Sequence, residues 1–325
     1  MQHEPNKNKR TVSGISLLAA AIALTVLVST VFALAQFRSP KSEESAAESS
    51  APAPQQDESS REQSTPDVPE PGKDTYYSKL ILEETAFSNS DVVNGSLAVI
   101  TGSGDKFPTI DETKKAAISR LKTGNVYGLS TTALVDYESA IKAVDSFLVA
   151  FDAQSVKNSG LIINRAYTRP DTIGSHPEFA DLTTGYSVEL ALYNTNNKFT
   201  DEGFKFLPEQ CYKYGIIQRY PEGKEAHTSV APSATIYRYV GLAHSWYMNY
   251  YNLCLEEYMD KLRTERLIEY KSELESNVEY IIYYVEANGS GNTTNIPIPS
   301  NANYTYEVSG DGSSGFIVTV RYPLA

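Results

Sequence analysis

Three observations predict an α+β fold for this 325-residue sequence. Tyr137, Ile141, Val144, Leu148 and Phe151 recur at 4-3-4-3 spacing, which winds one apolar stripe along a helix. Short apolar runs, Leu161 to Ile163 and Tyr186 to Leu192, have the length of buried strands, and the second alternates as a strand should. The C-terminal stretch NYTYEVSGDGSSGFIVTVRY alternates around a Gly/Asp turn, the pattern of a hairpin. Helices and short strands mixed in this order, with a β-rich end, are the signature of α+β organisation.

From the N-terminus, residues 1–14 form a short tail carrying Lys7, Lys9 and Arg10. Residues 15–37, ISLLAAAIALTVLVSTVFALAQF, hold no charge and are long enough to span a bilayer. The preceding positive charges place the tail in the cytoplasm and the bulk of the chain outside it, as a single-pass protein of the cell membrane. Ala33-Leu34-Ala35 keeps a cleaved signal peptide open as the competing reading. Residues 38–75 are Ser, Glu, Ala, Pro and Gln with almost no large apolar side chain, and are expected to be a disordered linker.

Residues 76–268 are expected to form the main folded domain and 269–325 a β-rich C-terminal segment. On the strand Tyr186 to Leu192, Tyr186, Val188 and Leu190 share one face, so Ser187 and Glu189 lie on the other. A helix is expected from Glu202 to Tyr214, a strand and turn in YGIIQRYPEGKE, and a strand in TIYRYVG. A helix then runs through Trp246 and Leu253 to Leu262, with WYMNYY as core, and a hairpin or small β unit spans Glu279 to Tyr322. Cys211 and Cys254 either pair or stand as two buried thiols. A net charge of −12, with no Lys/Arg cluster beyond the first ten residues, argues against nucleic acid as a partner. The chain has no G-x-S-x-G elbow, Walker loop, G-x-G-x-x-G or C-x-x-C, and Gly102-Ser103-Gly104 reads as a surface turn.

YGIIQRYPEGKE (214 to 225), RYVG (238 to 241), LCLEEY (253 to 258) and TGYSVEL (184 to 190) together resemble the zinc D-alanyl-D-alanine carboxypeptidases of the VanY type, over about half the chain from Gly95 to Leu262. The resemblance implies a zinc D,D-carboxypeptidase-like core domain acting on peptidoglycan stem peptides. Such enzymes hold zinc with His and Asp of an S-x-H-x-x-G-x-A-x-D motif. An E-P-W-H ahead of R-Y-V-G supplies a base and a third ligand. Three protein donors with an open water position are what a catalytic zinc needs.

Aligned on Gly185, the serine position is Ala180, the histidine Leu182 and the aspartate Glu189. Aligned on Arg238 to Gly241, the base is Ser233 and the last histidine Ile236. Leucine and isoleucine have no lone pairs to offer a metal. The resemblance therefore implies no cofactor, no catalytic or metal residues, and five substituted positions lining a groove, Ala180, Leu182, Glu189, Ser233 and Ile236. Arg169, one place from the family's substrate-holding arginine, is a candidate contact for substrate.

The expected function is that of a membrane-tethered, extracytoplasmic, catalytically inactive homologue that binds stem peptide or scaffolds a cell-envelope protein. The alternative is an active zinc peptidase with a site rearranged from His176, His227, Glu178, Asp181 or Glu189. A third reading makes the β-rich segment a protein-contact module. His244 is expected to be a core or capping histidine.

Overall fold

The computed structural model describes residues 79–101, 107–154, 159–193 and 196–324, all within one compact unit, Asp67–Ala325. The tail 1–14, the apolar segment 15–37, the linker 38–75 and the turn at 102–104 lie outside the described residues. Among those described, no helix is long and apolar enough to cross a membrane.

Strands β1 (Leu82–Ser88), β2 (Lys115–Ala117), β3 (Gly128–Leu129), β4 (Val135–Tyr137), β5 (Leu161–Arg165), β6 (Ser187–Leu192), β7 (Ile216–Tyr220), β8 (Ser233–Tyr239), β9 (Leu267–Lys271), β10 (Val278–Glu286), β11 (Thr293–Pro299), β12 (Thr305–Gly310) and β13 (Gly315–Pro323) form four sheets. The central one has the order β3-β5-β6-β8-β7, parallel only between β3 and β5. The expected helical stripe becomes the helix Glu138–Asp152, whose Ile141, Val144, Phe147, Leu148 and Phe151 are buried. They join Ile163, Val188, Leu190 and Tyr237 of this sheet in one apolar cluster. Because side chains alternate along a strand, that contact commits Ser187 and Glu189 of β6 and Ile236 and Arg238 of β8 to the opposite face.

The C-terminal sheet has the order β12-β13-β10-β9. On one face, Tyr280, Ile282, Tyr284 and Ile317 cluster with Tyr247, Met248, Leu255, Tyr258 and Leu262 of the helices Leu242–Tyr250 and Leu255–Glu265. On the other, Ile281, Tyr283, Phe316, Val318 and Val320 meet Leu80, Val92, Ile100, Ile173 and Ala180. Cover on both sides explains why β10 reads as a nearly unbroken apolar run rather than an alternation. Full burial stabilises a side chain such as Ile281 or Ile317 by about 1.5–3 kcal/mol each. The segment is therefore packed onto the rest of the unit. The Gly/Asp turn joins β12 to β13 as expected, whereas β11 leaves this sheet to pair with β1.

Two helix expectations are corrected. Residues 202–214 form three short turns, Glu202–Phe204, Phe206–Gln210 and Cys211–Tyr214, since Pro208 has no amide hydrogen to donate and Gly215 ends the run at φ 76°. The helix through Trp246 stops at Tyr250, Asn252 turns left-handed at φ 52°, and a new helix starts at Leu255 with the Glu257 carboxylate accepting from the Cys254 amide. The break leaves Tyr250 and Tyr251 exposed, so WYMNYY is core only through Met248. Cys211 and Cys254 are free and buried.

Candidate functional site

On the face of the central sheet away from the long helix, register brings five side chains into two rows. Ser187 lies opposite Arg238 and Glu189 opposite Ile236, while Arg165 of β5 pairs with Glu189 from the other side. The chain enters β6 through a 3-10 segment, Pro177–Thr184, closed by Gly185 at φ 75°. A Cβ at Gly185 would sit 3.1 Å from the Tyr137 ring, so both backbone angle and space demand glycine.

Asp181, in that segment, is fully buried and anchors it. Its Oδ1 accepts from Arg219 Nε at 2.7 Å and Arg238 Nη1 at 2.8 Å, and its Oδ2 accepts from the Ser187 hydroxyl. Arg219 reaches on to Glu256 with two hydrogen bonds, and Arg238 caps the carbonyls of Gly95, Ser96 and Ala98. Desolvation opposes ionisation of Asp181, but the Arg238 and Arg219 charges and the Ser187 bond outweigh it and hold the carboxyl below its usual range. Nearby Asp136 is also fully buried, and its Oδ2 has no hydrogen-bond partner among the described residues. Burial raises its carboxyl well above the ordinary value, more than the Tyr137 amide and the Arg238 and Lys115 charges lower it.

Beside this frame lies a cavity of about 320 Å³, walled by Pro177, Phe179, Glu189, Pro232, Ser233 and Ile236 among others. Three of the sequence-predicted positions, Glu189, Ser233 and Ile236, meet there. Ala180 and Leu182 are completely buried and do not line it. Arg169 lies outside the wall, exposed and paired with Asp171 at 3.3 Å.

Glu189 accepts from Asn164 Nδ2 at 2.7 Å and Arg165 Nη1 at 2.5 Å. The Arg165 guanidinium in turn lies 4.4 Å above the Phe179 ring. Neither Asn164 nor Arg165 was legible as a site residue, because their only sequence signal is position at the end of an apolar strand. His176 is exposed, 3.1 Å from Glu178, and His227 pairs with Glu257 at 3.2 Å. His244 is buried between the Tyr258 and Thr319 hydroxyls, the core histidine expected. Among the described residues no three His, Cys, Asp or Glu side chains gather as a metal site.

A catalytic zinc does not fit these residues. At the positions where the related motifs place imidazoles stand Leu182 and Ile236, and at Glu189 one oxygen, Oε2, accepts from both Asn164 and Arg165, which puts a guanidinium charge at the carboxylate.

The fold is shared with a D,D-peptidase of known structure. A vancomycin-resistance D,D-dipeptidase, VanXYg, solved with a D-Ala-D-Ala phosphinate analogue, shares the fold at a TM-score of 0.57 and 20% identity, over 74% of this chain and all of that one. A D-alanyl-D-alanine carboxypeptidase of Enterococcus faecium is 32% identical over 253 residues, 73% of this chain and 79% of that protein. The bifunctional D-Ala-D-Ala dipeptidase and carboxypeptidase VanXYC of Enterococcus gallinarum is 43% identical over 137 residues, 38% of this chain and 69% of that protein. No protein-family model matches the chain. The chain belongs to the family of D-alanyl-D-alanine carboxypeptidases of the VanY and VanX type.

Proposed function

We propose that this protein is a non-catalytic member of its family, which recognises a peptide ending in D-Ala-D-Ala in the groove over β6 and β8 without cleaving it. The observation that carries this reading is the Arg165 guanidinium on Glu189, with Ile236 directly across the sheet. A fixed organic cation stands at the one carboxylate left of the related metal set, so the charge a metal would supply is already there without its Lewis acidity. Arg165 contacts Glu189 through Nη1 alone, and its other nitrogens are suited to a peptide carboxylate. The names of the relatives support the choice of ligand, since they act on D-alanyl-D-alanine termini.

The test combines three measurements on the purified full chain: zinc content, D-alanine release from a D-Ala-D-Ala-terminated peptide with zinc added, and calorimetric titration with that peptide. Saturable binding, no release and no stoichiometric zinc are expected. Release that a chelator abolishes, or one tightly held zinc per chain, would overturn the non-catalytic reading in favour of an active peptidase. Absent peptide binding would overturn the recognition.

In the same proposal, residues 15–37 anchor the chain in the cell membrane and 38–75 hold the folded unit outside the cytoplasm. Release of the intact protein by salt or alkali, without detergent, would refute the anchor.

A further inference from the structure

A second concave site lies between the C-terminal sheet and the Tyr239–His244 segment, sharing no residue with the groove above. It has two adjoining lobes of about 270 and 210 Å³, both lined by Tyr239, His244, Glu307 and Thr319. Register places its floor. Glu307 pairs with Thr319, and Thr305 with Arg321, which Tyr280 flanks from β10. Thr319 is tied to His244 at 2.8 Å, so this row of the sheet faces the segment that forms the opposite wall.

The charges in the cleft do not balance. Arg321 Nε donates to Glu275 at 2.9 Å, and the Tyr280 hydroxyl donates to the same carboxylate. Glu307 makes no hydrogen bond or ion pair among the described residues. Its side chain is exposed at the rim of the cleft, and desolvation raises its carboxyl above the ordinary value. Three phenols stand around it. Burial foremost, with the Glu307 charge among the lesser contributions, raises the pKa values of Tyr186, Tyr239 and Tyr280. The Tyr186 and Tyr239 rings stack with centroids 6.4 Å apart, and neither hydroxyl has a partner among the described residues.

We propose that this cleft binds a primary alkylammonium group, the kind that ends a lysine side chain, with Glu307 as its counter-ion and the hydroxyls of Tyr186 and Tyr239 as further acceptors. An ammonium offers three donors and a positive charge, and the cleft offers an unmatched carboxylate, two unpaired phenol oxygens and ring faces. A carbohydrate would satisfy the hydroxyls but leave the charge unmatched. A quaternary ammonium would meet the charge but leave the phenol oxygens without donors.

The experiment titrates the full chain with n-butylammonium, n-butanol and tetramethylammonium, followed by NMR or calorimetry at low salt. Butylammonium is expected to saturate at about millimolar concentration, as one ion pair and a ring cage allow. Glu307→Gln should weaken it about tenfold or more while melting at the wild-type temperature, and the exposed control Glu273→Gln should change nothing. No saturation, equal binding by Glu307→Gln, or equal binding of butanol would overturn the site. Equal binding of tetramethylammonium would overturn the primary-amine assignment. None of these outcomes depends on whether the β6/β8 groove binds peptide.

Discussion

Replacing Asp181 with asparagine keeps the shape of the frame behind the groove and removes one of its charges. Two buried guanidiniums, Arg219 and Arg238, share Asp181 and are otherwise balanced by Glu256 alone, so the variant leaves one positive charge uncompensated at fully buried positions. Removing one partner of such a buried set costs about 3–5 kcal/mol. Against a typical domain stability of about 5–15 kcal/mol, that is a large fraction. With a urea m-value of about 3 kcal/mol/M, the unfolding midpoint should fall by about 1–2 M without a change in slope.

The sign of the pH dependence follows from the lowered carboxyl. In the wild type, the contribution of Asp181 is complete above the unfolded value near 3.8 and is lost as pH falls through the lower folded value. The gap between wild type and variant should therefore be widest at neutral pH and close in acid. Urea melts at pH 7 and in acid decide it. A neutral-pH loss below about 1 kcal/mol, as for exposed pairs, would refute the argument that this network is desolvated.

Asp136 predicts the opposite sign. Its folded carboxyl is raised, so its stability contribution is full below the unfolded value near 3.8 and declines as pH rises toward and through the folded one. Asp136→Asn, which imitates the protonated form, should raise the melting temperature at pH 7 by removing a burden of about 1–3 kcal/mol, and thermal melts across pH check it. Rebuilding the metal set gives the third expectation. Ser233→His and Ile236→His, two positions that line the cavity beside Glu189, should together bind zinc weakly while Arg165 is present, and about tenfold or more tightly once Arg165→Ser is added, read by competition with a zinc chelator. Equal zinc affinity with and without Arg165 would show that its cation does not compete for the site.

The apolar spacing from Tyr137 to Phe151, the alternation of Tyr186 to Leu192 and the hairpin at the C-terminal turn were legible because side-chain periodicity is a local property that the core must respect. The helices expected at 202–214 and through Trp246 to Leu262 were overextended, because apolar spacing does not register the backbone demands of Pro208, Gly215 and Asn252. Of the candidate groove positions, Glu189, Ser233 and Ile236 share a wall, while Ala180 and Leu182 sit beneath the surface. Motif alignment places residues along the chain and says nothing of depth.

By itself the sequence determined which atoms stand at each motif position. Leu182 and Ile236 have no donor in any conformation, because donor chemistry belongs to the side chain and needs no neighbour. Only the tertiary structure decided what Glu189 does instead, since Arg165 is 24 residues away, and what Asp181 does, with Arg219 and Arg238 at separations of 38 and 57. It also decided that Glu307 is left without a cation among the described residues. Charge pairing depends on distance through space and on exclusion of water, and a folded chain sets both by packing segments that the linear order keeps apart.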